Sequence, residues 1–327
     1  MNINKPLVSV IILTYNQEAF VQEAIRCVLN QKTVFNFEII IGDDFSTDGT
    51  RKIIDGYKED FPDLIMTYYP SKNSGLLSNY SNCINLCNGE YLTVCAGDDF
   101  WHNPLKLQTQ VDFFNQHPDF GVVHSDADYL YTPSGKTIKS YRRSTKAVIE
   151  SGFIFEKLLQ DNYIIALTAC VRLDLVRKFT DFEEYQKLEF LMEDYPMWLE
   201  LSNHTKIGYL DESLVTYRIH RKSIRNTENT AKLLEFLEST YKVKNHFITR
   251  FGCSQEVKTK VAERYYKKVL FYSNVLKNKS LSKSTFTGLQ SQSGKIRVIE
   301  YLYYWSSQMK ILGDVSSFVL KKFHSLS

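Results

Sequence analysis

The stretch formed by residues 91–101 constrains the fold more than any other part of this chain. Its first six residues, Tyr91–Ala96, are mostly apolar and β-branched, which is typical of a buried strand. Two carboxylates, Asp98 and Asp99, follow directly after Gly97. Ligands of open α/β sheets bind just beyond the carboxyl ends of the strands, and adjacent acids there suit a hard divalent cation. The alternative is a polar loop between a strand and a helix, where aspartates are common.

Composition and charge narrow the class of protein. The chain has 327 residues, of which 43% are hydrophobic and 14% aromatic, so it can bury a sizeable core. A formal net charge of +3 argues against a general nucleic-acid binder. The six cysteines show no zinc-ligand spacing and fit buried thiols in a reducing cytoplasm. Without a signal-peptide pattern or an apolar run of bilayer length, we expect a cytoplasmic protein, and any contact with the inner membrane face would be peripheral.

The hydrophobic pattern predicts four strand–helix repeats followed by a less regular region. This alternation is typical of an α/β fold with a mostly parallel sheet flanked by helices and right-handed crossovers. We expect a nucleotide-binding and catalytic domain over residues 1–227 and a helical, basic extension over 228–327. The predicted strands are residues 7–13, 37–41, 64–69, 91–96, 121–131, 164–171, 206–210 and 215–219. The predicted helices are residues 18–30, 76–87 and 153–160, with others beginning near 50, 104 and 196.

Two other predicted strands also end in polar side chains. Thr14, Tyr15 and Asn16 follow the first strand, and the pair Asp43–Asp44 follows the second. In a parallel sheet these ends meet at one edge, where a carboxylate beside an aromatic ring suits a nucleobase. Alternatively, this loop is a turn in which Ser46 or Asp48 caps the next helix. The absence of glycine-rich phosphate-binding motifs argues against a dinucleotide enzyme or a P-loop nucleotidase.

Residues 8–16, 42–50 and 97–101 resemble, in order and spacing, the motifs of the family 2 glycosyltransferases, which are inverting enzymes of the GT-A fold. The resemblance covers roughly the first half of the chain. It implies a nucleotide-sugar donor, usually a UDP-sugar, and Mg²⁺ or Mn²⁺. Residues 96 and 97 depart from the pattern, because many relatives carry another acid there. The resemblance implies that the nucleoside is held by Thr14, Tyr15, Asp43 and Asp44, that Asp98 faces the ribose or donor sugar, and that Asp99 ligates the metal.

Two further segments are similar to motifs of the same family. The segment 192–198 resembles the Glu-Asp motif, which implies that Asp194 is the catalytic base and Glu193 its neighbour or orienter. Complementing a helix dipole is the alternative role for these acids. The segment 217–223 resembles a Tyr-Arg-x-His motif, which implies that His220 completes the metal or diphosphate site. A structural histidine is the alternative. The cations that could neutralise phosphate there are Arg218, Arg221 and Lys222.

Two groups of residues outside these motifs carry weaker signals. His124 and Asp126 could line an acceptor cleft, although a satisfied histidine beside a turn explains them as well. In the C-terminal third, basic residues alternate with aromatic ones, from Lys258 to Lys322. Such a pattern suits the surface of an anionic membrane, and equally a solvated helical appendage whose aromatic residues pack inward.

Together these features predict a metal-dependent inverting glycosyltransferase that moves a sugar from a nucleotide-sugar to a hydroxyl of a glycan or lipid-linked glycan in surface polysaccharide synthesis. The alternative is a non-catalytic nucleotide-sugar-binding protein of the same fold. A nucleotidyltransferase would also bind nucleotides on such a sheet. It should carry a glycine-rich loop with arginine near the N-terminus, and residues 13–16 contain neither.

Overall fold

The computed structural model describes residues 5–132, 134–220, 229–292, 296 and 298–308. These residues form two compact units, one before residue 221 and the other after residue 228. No helix within these described ranges combines the length and the apolar character needed to cross a bilayer.

The first unit is built on one eight-stranded mixed sheet. The first four strands are parallel in the order β3-β2-β1-β4, and the sheet continues through β7, β5 and β6. Strand β7 runs antiparallel to both β4 and β5, while β8 pairs with β5 in parallel. The strands are β1 (Val8–Thr14), β2 (Phe37–Asp43), β3 (Ile65–Tyr68), β4 (Tyr91–Ala96), β5 (Phe120–Tyr131), β6 (Lys136–Ile138), β7 (Cys170–Arg172) and β8 (Lys206–Ile219).

Helices connect the strands of the first unit and make up most of the second. In the first unit they are α1 (Val21–Leu29), α2 (Thr50–Asp60), α3 (Leu76–Leu86), α4 (Lys106–Gln116), α5 (Tyr141–Ser144), α6 (Phe155–Gln160), α7 (Leu173–Phe179), α8 (Phe182–Lys187) and α9 (Asp194–His204). In the second unit they are α10 (Thr230–Phe251), α11 (Gln255–Val275), α12 (Lys279–Gln292) and α13 (Val298–Gln308). The predicted strand–helix alternation of the first half is therefore confirmed.

Two predicted elements differ from the structure. The apolar run 164–171 is not one strand, because its backbone forms a 3₁₀ turn over Ala166–Thr168 before the short strand β7. The side chains of Gln110 and Thr93 donate to the carbonyl oxygens of Thr168 and Ala169, both at 2.7 Å, and so satisfy this non-strand backbone. The predicted strands 206–210 and 215–219 are one strand, β8, whose register against β5 shifts near Asp126.

The central strand β1 positions the edge of the sheet that matters for function. Every residue of β1 is buried, as expected for a parallel strand covered on both faces. The order of strands reverses between β1 and β4, so a crevice is expected at their carboxyl ends. Gly97 lets these ends approach, since its N–H donates to the Leu13 carbonyl at 2.8 Å. A Cβ at residue 97 would lie 2.9 Å from the Thr14 Cβ and closer still to Gln17, so no acid fits there.

The second unit has a small aromatic core of its own. Leu270, Phe286 and Leu289 are buried together, and tyrosines from α11 and α13 pack against them. Asn229 and Ser254 accept backbone N–H groups in the first turns of α10 and α11 and thus cap both helices. The basic, helical C-terminal region predicted from the sequence therefore forms a compact group of helices within the described residues.

Candidate active site

The loops that follow β1 and β2 are joined by side-chain hydrogen bonds. The backbone N–H of Asn16 donates to Ser46 Oγ at 2.8 Å, and the Ser46 hydroxyl donates in turn to Asp43. The N–H of Thr47 donates to Asn16 Oδ1 at 2.8 Å. Asn16 has a φ of +54°, in the left-handed region that asparagine tolerates better than most residues. The two strand ends thus form one hydrogen-bonded assembly.

Within this assembly, Asp48 and Ser46 have different roles. Asp48 accepts the backbone N–H of Thr50 at 3.0 Å, at the first residue of α2. Ser46 makes no such bond to α2 and joins the two loops instead. Gly49 is the N-cap residue of α2, so Asp48 satisfies the first N–H of the helix from the position before the cap, and neither Asp48 nor Ser46 is itself the cap.

The carboxylate of Asp43 is held entirely by neighbouring donors. Its Oδ2 accepts from the Ser46 N–H and from Arg51 Nε, both at 3.2 Å, and the Arg51 guanidinium forms an ion pair with it. The side chain of Asp43 has no exposed surface. A direct contact between Asp43 and a nucleobase would therefore require this loop to move.

Asp44 is anchored just before helix α3. Its Oδ1 accepts from the N–H and the hydroxyl of Ser74 at 2.7 and 2.8 Å, and its Oδ2 accepts from the N–H of Gly75 at 2.9 Å. Backbone N–H groups at a helix N-terminus favour a negative charge. The Asp44 carboxylate therefore fixes the start of α3 against the end of β2.

Exposed rings and one hydroxyl remain beside these anchored acids. Tyr15 and Phe45 are 48% and 41% exposed, and Phe45 adopts a φ of +66°, which is strained for a bulky aromatic residue. Thr14 is buried, and its Oγ1 has no hydrogen-bond partner within the described part of the chain. Two exposed aromatic rings are thus available to a ligand at this edge.

The end of β8 lies against the loop that carries Asp98 and Asp99. A backbone bridge connects Phe100 with Thr216, whose N–H donates to the Phe100 carbonyl at 2.8 Å. Two residues further on, the N–H of Arg218 donates to Asp99 Oδ1 at 2.6 Å. His220 Nε2 lies 2.9 Å from Asp98 Oδ2. The structure thus brings three predicted site residues, Asp98, Asp99 and His220, into one cluster.

Electrostatics distinguish Asp99 from its neighbour. Asp99 is almost completely buried, whereas Asp98 keeps part of its surface. Burial, and then the adjacent charge of Asp98, raise the pKa of Asp99 well above its usual range. Such a carboxylate is costly to ionise unless a positive charge comes close, and strongly perturbed acids in a crevice are typical of functional sites.

Arg218 acts as a clamp between the acidic loop and helix α1. Its guanidinium is buried, forms an ion pair with Glu23 of α1 and donates to the Asp98 carbonyl. It also lies over the rings of Phe20 and Phe100, at 4.8 and 5.0 Å from their centroids. Arg218 is therefore engaged within the protein rather than poised for phosphate. Arg221 and Lys222, the other predicted cations, lie outside the described residues.

Glu23 and Phe20 were not predicted from the sequence as site residues. The ring of Phe20 stacks on His220, with 5.1 Å between the centroids, so it orients the imidazole as well as Arg218. No local pattern connects Phe20 with residues 200 positions later. A buried arginine near the acidic loop would have to find a counter-charge, and that requirement is the one signal that could have pointed to Glu23.

The donor set of this cluster fits a hard divalent cation. Asp98 and Asp99 offer carboxylate oxygens and His220 an imidazole, which are ligand types used for Mg²⁺ and Mn²⁺. A bound cation would also offset the cost of ionising Asp99 next to Asp98. Nevertheless, no group of three His, Cys, Asp or Glu side chains has metal-binding geometry in the part of the chain that the structure describes. The protein supplies the ligand chemistry here without a closed cage.

A third acid pair, Glu193–Asp194, lies at the start of helix α9. Asp194 is the first residue of the helix, and its Oδ1 accepts the N–H of Tyr195 at 2.6 Å. Burial, and then the charge of Asp194, raise the pKa of Glu193 to about 8. Glu193 and Asp194 also act on Tyr80 of α3, whose pKa is raised well above its usual value, mainly by burial. The pair therefore lies near α3, the helix whose start holds Asp44.

His124 and Asp126 do not form an accessible surface. His124 is buried within β5 beside the rings of Tyr163 and Tyr209, rather than next to a turn. Burial lowers its pKa to about 3, so the imidazole is neutral. Asp126 accepts the N–H groups of Arg142 and Arg143 at 2.9 and 3.1 Å and thereby anchors α5. Neither residue is placed to line an acceptor cleft in this structure.

Solved structures share this architecture. TarS from S. aureus, in a crystal structure with UDP, aligns with a TM-score of 0.53 at 16% identity, over 87% of this chain and 88% of that one. The mannosyltransferase PcManGT from Pyrobaculum calidifontis, in complex with GDP-Man and Mn²⁺, also has a TM-score of 0.53, at 15% identity over 95% and 88%. The fold is therefore that of the GT-A glycosyltransferases, as predicted.

Sequence comparisons show which proteins this chain is similar to. Residues 9–167 match the family described as Glycosyl transferase family 2. An uncharacterized protein of Mycobacterium tuberculosis is 36% identical over 152 residues, which span 45% of this chain and 44% of that protein. The GalNAc(5)-diNAcBac-PP-undecaprenol beta-1,3-glucosyltransferase of Campylobacter jejuni is 25% identical over 87% of this chain and 88% of its own. Residues 9–167, a little under half of this chain, are thus similar to glycosyl transferase family 2, and the relatives with glycosyltransferase names agree with that match.

Proposed function

We propose that this protein transfers a sugar from a UDP-sugar to a hydroxyl of a glycan or lipid-linked glycan, with inversion at the anomeric carbon. The observation that carries the proposal is the cluster of Asp98, Asp99 and His220 at the sheet edge where the strand order reverses. Open α/β sheets bind their ligands at such an edge.

The donor's nucleoside is proposed to lie over the joined loops that follow β1 and β2. Tyr15 and Phe45 offer exposed rings for stacking, and Thr14 offers a buried hydroxyl. Asp43 and Asp44 are proposed to support the nucleoside site indirectly. Since their carboxylates already accept hydrogen bonds from the protein, they would shape this seat rather than contact the base in the present loop conformation. TarS with UDP supports a uridine nucleotide, whereas PcManGT binds GDP-Man.

The diphosphate is proposed to bind at the Asp98–Asp99 loop. Asp99 and His220 would hold Mg²⁺ or Mn²⁺, and the cation would neutralise the departing diphosphate. Asp98, which is predicted to face the ribose or donor sugar, lies beside them through its contact with His220. The Mn²⁺-bound relative of the same fold supports this assignment. The chain's own contribution is orientation. Arg218 ties the loop to α1, and Phe20 holds the ring of His220.

Asp194 is proposed as the general base that takes the proton of the acceptor hydroxyl. Its carboxylate is held at the start of α9, and its neighbour Glu193 has a pKa near 8. At neutral pH most of Glu193 is therefore protonated, which relieves the repulsion between the two adjacent carboxyl groups. An inverting transfer needs one such base, because the acceptor attacks in a single displacement.

The acceptor and the cellular location are proposed by analogy with two relatives. The Campylobacter relative carries an undecaprenol-linked acceptor in its name, and a relative in Bacillus subtilis is described as a teichuronic acid biosynthesis glycosyltransferase. These names support surface polysaccharide synthesis in the cytoplasm as the setting. The sugar and the linkage depend on the segment between β5 and α9, which differs from the regular strand–helix pattern.

A donor-hydrolysis screen tests the proposal. Purified protein is incubated with UDP-, GDP- and dTDP-sugars, with and without Mn²⁺, and the released nucleotide is measured. We expect Mn²⁺-dependent release from one donor, with turnover lowered by about 10³-fold in Asp194→Asn while UDP binding persists. The matched control, Asp63→Asn, changes an exposed acid away from the site and should behave as the wild type.

Binding without turnover of any donor would favour the non-catalytic alternative. A product that retains the configuration of the donor sugar would contradict the single displacement. If Asp194→Asn abolished UDP binding as well as turnover, the assignment of Asp194 as a base would be wrong.

A further inference from the structure

Helix α13 carries an apolar stripe that is largely exposed, although the ring of one member, Tyr301, contacts Phe286 edge-on with 5.2 Å between the centroids. Its members are spaced i, i+3, i+4 and i+7, so they lie on one face of the helix. The α13 stripe consists of Val298 (75% exposed), Tyr301 (42%), Leu302 (57%) and Trp305 (56%). Tyr304 instead stacks on Phe286, and Tyr303 packs against Phe271, so these two tyrosines belong to the inward side of α13. Most of the stripe thus lies outside the side of α13 that packs against the other helices of the second unit.

The charge of the surrounding sequence is strongly positive. Residues 224–327 contain 18 Lys and Arg against 7 Asp and Glu, a net charge of +11. Residues 1–223 contain 22 against 30, a net charge of −8. The near-neutral total therefore conceals two halves of opposite sign. An apolar helix face within a basic region has the two features that peripheral membrane binding requires.

One basic side chain, Lys279, lies at the C-terminal end of α13. Lys279 Nζ donates to the backbone carbonyl of Gln308, the last residue of α13, at 2.8 Å. At the same end, Val275 and Leu276 are each 40% exposed, and Asn274 donates to the Tyr303 carbonyl at 2.8 Å. Two exposed apolar side chains, Val275 and Leu276, and the cation of Lys279 thus lie where α11, α12 and α13 meet.

We propose that the α13 stripe binds the surface of an anionic lipid bilayer. Helix α13 would lie parallel to the membrane surface, with Leu302 and Trp305 among the acyl chains. The positive charge carried by residues 224–327 would favour the anionic headgroups. Tryptophan and tyrosine favour this depth, because their rings are apolar and their N–H or O–H groups reach water. The positive charge argues against a contact between the α13 stripes of two copies, since two such basic surfaces repel each other, and it favours an anionic lipid surface.

The tryptophans of this chain provide a direct reporter. Trp101 and Trp198 are buried, being 3% and 2% exposed, so a change in emission on adding vesicles arises mainly from Trp305. We expect the full-length protein to show a blue shift and quenching by brominated lipid with phosphatidylglycerol-containing vesicles. Phosphatidylcholine vesicles alone should produce neither effect, and added salt should reverse the binding.

Flotation with matched variants completes the test. The double variant L302S/W305S should bind phosphatidylglycerol vesicles about tenfold more weakly than the wild type. The control, V34S/V148S, replaces two apolar residues that are 91% and 88% exposed in the first unit, and should float as the wild type does. Equal far-ultraviolet circular dichroism of all three proteins shows that the second unit has remained folded.

Several results would overturn the proposal. Trp305 emission that is already blue-shifted in buffer would mean that another part of the chain, or a second copy, covers the stripe. Equal flotation of the wild type and L302S/W305S would reject the stripe as the binding surface. Because these measurements read lipid binding and not sugar transfer, their failure is separate from a failure of the proposed activity.

Discussion

The tetrapeptide Gly-Asp-Asp-Phe occurs twice in this chain, at residues 42–45 after β2 and at residues 97–100 after β4. Both copies lie at the carboxyl edge of the same parallel sheet. In the first copy, serine, glycine and arginine donors hold both carboxylates. In the second, Asp98 pairs with His220, and burial beside Asp98 raises the pKa of Asp99.

The difference shows that the surrounding residues, and not the tetrapeptide, decide the role of each acid pair. The first copy is stabilised by donors from residues 46–75, so its acids hold loops together. The second copy contacts the end of β8, where His220 lies beside Asp98 and the N–H of Arg218 donates to Asp99. These contacts do not offset the cost of ionising Asp99, because its pKa stays well above the usual range. Substitutions in the first copy should therefore lower stability, and substitutions in the second should lower activity.

The largest effect is expected from Asp99→Asn. Removing this charge should lower turnover by about 10³-fold, because the diphosphate site loses a ligand group and its electrostatic stabilisation. The melting temperature should not fall, since a buried carboxylate that is costly to ionise has been replaced by a neutral amide. Steady-state kinetics and thermal unfolding check the two parts. A melting temperature lower by many degrees would give Asp99 the structural role assigned here to the first copy.

Asp44→Asn should produce the opposite pattern. Three donors from Ser74 and Gly75 converge on the Asp44 carboxylate, and an amide can satisfy only part of that set. We expect a loss of about 3 kcal/mol in the free energy of unfolding, measured by urea denaturation. The control Asp63→Asn should change it by less than about 0.5 kcal/mol. An unchanged midpoint for Asp44→Asn would contradict the anchoring role.

The third acid pair, Glu193–Asp194, should give a pH dependence. The pKa of Glu193 is raised in the folded state, so the folded protein retains a proton that the unfolded chain releases above its ordinary pKa. Stability should therefore decrease by about 2 kcal/mol as the pH rises from about 5 to about 8, and Glu193→Gln should remove most of that slope. Urea midpoints at several pH values measure it. The same slope in Glu193→Gln would assign it to other groups.

The ion pair between Asp43 and Arg51 should contribute less. A double-mutant cycle of Asp43→Asn and Arg51→Met should give a coupling of about 1 kcal/mol, because Arg51 keeps about a third of its side chain in water. Urea unfolding of the four proteins provides the value. A coupling near zero would leave Ser46 as the main partner of Asp43.

The smallest effect is expected from Glu23→Gln. Glu23 is more than half exposed, so the loss of its ion pair with Arg218 should change stability by under about 0.5 kcal/mol. A loosened Arg218 should still lower kcat/KM about threefold, since it holds the Asp98 carbonyl. The exposed acid Glu59, changed to Gln, provides the control. A change in stability without a change in kcat/KM would make Arg218 a purely structural clamp.

Much of this arrangement follows from local patterns. Continuous apolar runs predict β1 and β4, and polar residues directly after them predict which edge of the sheet binds ligands. The resemblance to family 2 motifs placed Asp98, Asp99 and His220 in one site, and the structure brings these three together. The roles of Asp99 and His220 at the metal, of Asp98 beside the ribose or donor sugar, and of Asp194 as a base remain predictions.

The remaining features depend on contacts between distant parts of the chain. The pair Arg218–Glu23 joins residues 195 positions apart, and no periodicity indicates such a partner. The burial of Asp43 depends on Arg51 and Ser46, whose side-chain directions the sequence does not specify. The difference in net charge between residues 1–223 and 224–327 can be counted directly from the sequence. The exposed stripe of α13 cannot be predicted in this way, because the hydrophobic pattern alone does not show which helix face packs inward.

The most direct test of the account is calorimetric binding of UDP, with and without Mn²⁺, to the wild type, Asp99→Asn and Asp44→Asn. The account predicts that Mn²⁺ strengthens UDP binding to the wild type and to the folded fraction of Asp44→Asn. In Asp99→Asn most of that Mn²⁺-dependent gain should be lost. A full Mn²⁺ effect in Asp99→Asn, together with its loss in Asp44→Asn, would reverse the roles of the two acid pairs and contradict the account.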